Sequence, residues 1–162
     1  MIHNIHLPPA APGSLDFAGD AIERLFTNCL DLNAHACFAE LSQLRVSAHF
    51  LIRRDGELLQ FVSCLQRAWH AGVSSWQGRE RCNDFSIGIE LEGSDYVPFE
   101  AIQYKRLNQL LLALTASFPI AALVGHSDIA PARKTDPGPF FDWSQLMKPL
   151  LELHQTGNNS ES

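Results

Sequence analysis

The stretch VGHSDIAPARKTDPGPF, Val124–Phe140, closes an apolar run and opens a polar loop stiffened by proline. The run Ile120–Val124 reads as a buried strand. Pro131, Pro137 and Pro139 bar the loop from helix or sheet interiors. Yet it carries His126, Asp128, Arg133, Lys134 and Asp136. Polar groups crowded at the end of a strand, on a backbone held by prolines, are what a reactive site needs. Pro137 steers Asp136 towards an extended backbone, so Lys134 and Asp136 share a side with Thr135 opposite. A carboxylate fit to bind a metal and an ammonium fit to meet developing negative charge then face one small volume. A solvated turn with a surface ion pair explains this segment alone equally well.

Working outward, helical spacing predicts a long helix over Phe99–Ser117, with Ile102, Leu107, Leu110, Leu111, Leu114 and Phe118 buried and Pro119 ending it. A last helix is expected over Trp143–His154, completing a single domain over residues 1–154, followed by a disordered polar tail, 155–162. FSIGIELE, Phe85–Glu92, is the clearest strand: Phe85, Ile87, Ile89 and Leu91 face one side, and Ser86, Gly88, Glu90 and Glu92 the other. A glutamate on a central strand is costly unless hydrated or used, which marks Glu90. Arg45–Ser63 reads as a hairpin turning at Asp55-Gly56, with Val46, Ala48, Phe50 and Ile52 on one face and Ser47, His49, Leu51 and Arg53 on the other. His49 there is expected to be a hydrogen-bonded sheet residue. Ala21, Ile22, Leu25, Phe26 and Cys29 predict a helix over Gly19–Leu30 with Asp20 as N-cap. Trp69 and Trp76, in a Gly/Ser-rich stretch near Arg79 and Arg81, suggest a groove for an amphipathic ligand. His3, close to the start, reads by itself as a frayed surface residue.

At 162 residues the chain suffices for one domain with a real core, and 46% hydrophobic and 19% charged residues are ordinary globular values. A net charge of −6 without a basic block argues against nucleic-acid binding. Four cysteines lack CxxC spacing and are expected as thiols. No apolar run reaches membrane-helix length, and MIHNIHLPPA lacks the pattern of a secretory signal. These features set the expectation of a soluble, cytoplasmic monomer.

A hydrolytic zinc site needs three protein ligands, a group to take a proton from water and a cation to meet the oxyanion. His3, His126 and Asp136 suit the first role, Glu90 the second and Lys134 the third. Spacing alone does not prefer them to His49, His70 or Asp128. Five ordered stretches narrow the choice: HNI (3–5), RVSAHFLIRRDGE (45–57), RAWHAGVS (67–74), QGRERCNDFSIGIELEG (77–93) and GHSDIAPARKTDPGP (125–139). Together they resemble the type 2 N-acetylmuramoyl-L-alanine amidases, specifically those acting on anhydro-muropeptides. The resemblance implies an α/β fold with a central mixed sheet flanked by helices. It implies Zn2+ on His3, His126 and Asp136, with Glu90 and Lys134 catalytic. It implies Asn4, Arg45, Trp69 and Arg81 as substrate contacts, and hydrolysis of the amide between anhydro-muramic acid and L-alanine during cell-wall recycling. Two alternatives are a muropeptide-binding module without catalysis and a form whose short lead-in weakens zinc binding. Only Met1 and Ile2 precede His3, so few ladder hydrogen bonds are expected to hold it.

Overall fold

The computed structural model describes residues 1–9, 12 and 14–158. Its main sheet has four strands in the order β1-β6-β2-β3: β1 Ile2–Ile5, β2 Phe50–Ile52, β3 Leu58–Gln60 and β6 Ile89–Glu92. β6 pairs in parallel with both β1 and β2, and β3 closes the sheet antiparallel to β2, so the sheet is mixed. A small separate hairpin joins β4 Ser75–Trp76 to β5 Arg79–Glu80. The helices are α1 Ala21–Phe26, α2 Ala101–Ser117, the single turn α3 His126–Ile129, and α4 Lys148–Asn158.

Strand alternation divides the core. Ile2, Phe50, Ile52, Ile89 and Leu91 pack on one face with Leu107, Leu110, Leu111 and Leu114 of α2 and Leu150 of α4. On the other face Leu51 and Ala48 join Ile22, Leu25, Phe26 and Phe38. His3, Glu90 and Leu51 lie side by side in register on this second face. The polar positions of β1 and β6 therefore share one surface.

The hairpin turns where expected. Arg53 N donates to Glu57 O at 2.9 Å, and Gly56 takes φ +84°, a conformation that favours glycine. Its strands are shorter than expected. The amides of His49 and Phe50 both donate to Gly88 O, at 3.0 and 3.2 Å. This bulge breaks the alternation, so Ala48 and Phe50 lie in different cores instead of on one face. α1 is likewise only six residues long. Asp20 occupies its N-cap position, but the carboxylate pairs with Arg24 Nε at 2.8 Å instead of capping an amide.

α2 begins after Glu100, and Ile102 is not in its buried stripe, being 39% exposed. Gln103 is buried in its place and donates to Ile52 O and Glu92 O at 3.2 and 3.0 Å. An amide side chain thus ties the helix to β2 and β6 at a position that apolar periodicity passes over. Ile120–Val124 is not a strand of the sheet. Its end reaches β1, where Ile2 N donates to Val124 O at 2.8 Å and Ile2 bridges the next residue, Gly125, before the chain enters α3. α4 runs on through Asn158, and residues 159–162 of the expected tail lie outside the described residues. No helix of the described residues is long and apolar enough to cross a membrane.

Candidate metal and catalytic site

His3 is not frayed. β1 pairs with β6 along all four residues, and the Met1 amino group donates to Ile87 O at 2.9 Å. His3 is 1% exposed. Its short strand is clamped between β6 and the Val124–Gly125 segment, which answers the concern about its few ladder bonds.

Three donor atoms converge in front of it. His3 Nδ1 is 3.0 Å from His126 Nδ1 and 3.0 Å from Asp136 Oδ2, and His126 Nδ1 is 3.1 Å from the same oxygen. His126 enters on the first residue of α3, and Asp136 returns from the proline loop, with Ser127 N donating to Asp136 O at 2.9 Å. Among the described residues these three form the one His/Cys/Asp/Glu group able to hold a metal ion. The outer nitrogen of His126 lies 3.0 Å from Ala71 O. A carbonyl only accepts, so Nε2 carries the proton and, in the neutral ring, Nδ1 presents a bare lone pair to the centre. Burial pushes the His3 imidazolium down to about 4, so this ring is neutral at ordinary pH. Burial alone would raise Asp136, but the two imidazoles outweigh it and hold the carboxyl well below its usual range. Two imidazoles and a carboxylate meeting edge to edge make a place for a cation.

Glu90 stands beside His3 across the β1–β6 register, 8% exposed. Its Oε2 is buried without a hydrogen-bond partner. Burial, then the negative field of Asp136, push its carboxyl well above the ordinary value, while Lys134 acts in the opposite sense. The field of Lys134 thus reaches Glu90 from the same loop as Asp136. Lys134 itself is half-buried, with its backbone amide bonded to Ala130 O at 2.9 Å.

The rival histidines and Asp128 have other duties. His49 accepts from Gly88 N and lies against Gln66 O, both at 3.0 Å. Asp128 accepts the Gly125 amide at 2.7 Å and caps α3. His70 packs behind His3, its Nδ1 3.0 Å from His3 Nε2.

The expected substrate contacts separate. Asn4 donates to Asp95 Oδ1 at 2.7 Å and to Pro137 O at 3.1 Å, which braces β1 against the Asp136 loop. Trp69 precedes His70 and is 51% exposed, with Arg67 stacked over its ring at 3.8 Å. Arg67 pairs with Asp84 and Asp84 with Arg81, so Trp69 and Arg81 belong to one surface strip. Arg45 is exposed and donates to Ser42 O and Leu44 O, with no bond to that strip. The two tryptophans do not line one groove. Trp76 lines a cavity of about 530 Å³ with Arg79, Phe85 and Leu111; Arg67 and Asp84 also line it, but Trp69 and the three donors do not.

Arg133, Asn83 and Gly88 gained no role from sequence. Arg133 donates to Ala71 O and Val73 O at 2.9 and 2.7 Å, and Asn83 Oδ1 accepts the amides of His70 and Ala71. A Cβ on Gly88 would overlap the His70 ring. The empty side of that residue was visible in the strand pattern, but its occupant was not.

The family model described as N-acetylmuramoyl-L-alanine amidase matches residues 5–139. The 1,6-anhydro-N-acetylmuramyl-L-alanine amidase AmpD of Salmonella typhimurium is 57% identical over 148 residues, 90% of this chain and 76% of that one. A crystal structure of a selenomethionine AmpD derivative superposes with a TM-score of 0.82 at 55% identity, covering 89% of this chain and 79% of the other. The amidase AmiD of E. coli, solved with anhydro-N-acetylmuramic acid-L-Ala-D-γ-Glu-L-Lys, gives a TM-score of 0.62 at 36% identity over 74% of this chain and 52% of that one.

Proposed function

The chain belongs to the N-acetylmuramoyl-L-alanine amidase family, and from that premise we propose that it is a zinc-dependent amidase cleaving the bond between 1,6-anhydro-N-acetylmuramic acid and L-alanine in anhydro-muropeptides. The observation that carries the zinc reading is the meeting of His3 Nδ1, His126 Nδ1 and Asp136 Oδ2 at 3.0–3.1 Å. Around an ion with bonds of about 2.0–2.1 Å, the edges of a tetrahedron run roughly 3.3 Å. The donor set fits to within a few tenths of an ångström, and three protein donors leave a position open. The substrate class is supported by the AmpD relatives and by AmiD, whose bound ligand is named as such a peptide.

Bound there, zinc supplies the positive charge that acidifies a water molecule and polarises the scissile carbonyl. The remaining steps fall to side chains. Glu90 Oε2, with no competing partner, takes the proton from the attacking water. The water oxygen bonds to the carbonyl carbon, and the negative charge gathering on the carbonyl oxygen is met by the Lys134 ammonium. Glu90 returns the proton to the alanine nitrogen as the carbon–nitrogen bond breaks, leaving a lactyl carboxylate and a free peptide amine. A raised carboxyl suits this double duty, because a group that both takes and gives a proton works best near the ambient pH.

Trp69 and Arg81 offer an aromatic face and a cation beside the site for the sugar and the peptide carboxylates. Asn4 has its amide protons committed to Asp95 and Pro137, so its free oxygen is what remains for substrate. Arg45, exposed and bonded to Ser42 O and Leu44 O, is the fourth proposed substrate contact. All four cysteines are free, which supports work in a reducing compartment, the cytoplasm.

The test is elemental analysis of the purified chain together with release of peptide from an anhydro-muropeptide, with and without chelator. One zinc per chain and turnover lost on chelation are expected. A folded chain that binds muropeptide but neither holds zinc nor releases peptide would reduce it to a binding module.

A further inference from the structure

We propose that His70 is a positioning residue: its Nδ1 accepts the outer proton of His3, and the turn Trp69–Ala71 supplies the proton acceptors for both imidazoles of the metal site. The proposal rests on the zinc reading above. His126 Nε2 donates to Ala71 O at 3.0 Å. The neighbouring residue of the same turn presents His70 Nδ1 to His3 Nε2, also at 3.0 Å. With His70 Nδ1 accepting, its own proton sits on Nε2, 3.4 Å from Ser86 Oγ, and Ser86 donates at 2.6 Å to Cys82 O. The relay His3 → His70 → Ser86 ends on a carbonyl, which can only accept, and this sets the direction of every link. Both rings are thereby turned with bare Nδ1 atoms towards Asp136.

The turn is built to hold this register. The backbone amides of His70 and Ala71 share Asn83 Oδ1 at 3.0 and 2.8 Å. Gly88 opens the space that the His70 ring fills. Arg133, from the loop that carries Asp136, donates to Ala71 O at 2.9 Å alongside His126, with 3.4 Å between its Nη2 and His126 Nε2. One turn therefore couples the orientation of His3, of His126 and of the Asp136 loop. An acceptor behind a metal-binding imidazole fixes its tautomer and raises its basicity, and losing one typically weakens metal binding about 10- to 100-fold.

Zinc affinity, read by competition with a chromophoric chelator, tests this on the full chain. His70→Phe keeps a ring without an acceptor and should bind zinc about 10- to 100-fold more weakly. His70→Asn places an amide oxygen near the Nδ1 position and should recover most of that loss. Wild-type affinity in His70→Phe, or equal weakness in both variants, would overturn the proposal. A second measurement needs no variant: in the zinc-loaded wild-type chain, imidazole nitrogen NMR should find the His70 proton on Nε2, and a proton on Nδ1 would overturn the assignment. A wild-type chain that takes up no zinc sinks the zinc reading itself. Tight zinc indifferent to His70 sinks only this inference.

Discussion

Glu90 and Glu92 stand two residues apart on β6, on the same side of the sheet, and both are buried. Burial is the first cause raising both carboxyls. Their surroundings differ. Glu92 accepts from Arg54 N at 3.0 Å and lies 3.7 Å from Arg53 Nη2, while Arg53 also pairs with Glu23, and Arg54 with Glu100. Glu90 has an oxygen with no partner and only the opposed fields of Asp136 and Lys134. Residue type, strand and burial are shared; what separates a carboxylate that holds the frame from one available to react is whether the protein satisfies its oxygens.

The sharpest break in this comparison comes from removing the neighbour that charges the Glu90 environment. Asp136→Ala leaves two imidazoles with no anionic donor, so zinc and turnover should both fall below detection by elemental analysis and by peptide release. Glu90→Gln comes next. It should keep stoichiometric zinc while kcat falls about 10²- to 10⁴-fold, the range of a lost general base. Thermal unfolding at neutral pH should not fall, because burial penalises the charged form that the amide replaces. If zinc leaves with the carboxylate, Glu90 is a ligand and the contrast with Glu92 is misdrawn.

Acid unfolding of the metal-free chain separates the imidazoles from the carboxylates. His3 has a folded value of about 4 against 6.5 unfolded, so the stability it contributes is present above 6.5 and lost as pH falls through about 4. At about 1.36 kcal/mol per unit, the loss is on the order of 3 kcal/mol. The Met1 amino group, pushed by burial from 8.0 to about 5, adds the same sign at higher pH. Glu90 and Glu92 run the other way: their folded values are raised, so their contribution is present below 4.5 and lost as pH rises. His3→Asn should flatten the limb between pH 6.5 and 4 in urea unfolding. An unchanged limb would mean that His3 is already hydrated.

The strand of Glu90 and the loop of Asp136 were legible because each is local. FSIGIELE alternates, and although only Ile89–Glu92 of it forms β6, a glutamate beside a glycine on a central strand is a cost that sequence exposes. His3 was not legible from its own neighbourhood, where two preceding residues suggest fraying. Its burial comes from pairing with β6 and from Val124, more than 80 residues away. The turn at His70 and Ala71 was equally hidden. Its partners His3, Asn83 and Arg133 are gathered by the tertiary fold, and no periodicity records that. The five-block resemblance supplied what spacing could not. Gln103 falls outside the apolar periodicity of α2, and only the fold shows that it answers carbonyls on two strands.

The smallest effect is expected at Glu92, and it is the control for the opening contrast. In Glu92→Gln the amide oxygen can still accept from Arg54 N, and Arg53 keeps Glu23, so no guanidinium is left alone. What is lost is one charge–charge attraction at 3.7 Å, offset by release from a burial that already disfavours that charge. The expected cost is about 1 kcal/mol, read as a shift of the urea midpoint at constant slope. Zinc content and kcat should match wild type, because nothing in this network touches the three donors or Glu90. A fall in kcat comparable to that of Glu90→Gln would mean that the arginine network governs the reactive carboxylate through β6. The two glutamates would then be a single functional unit.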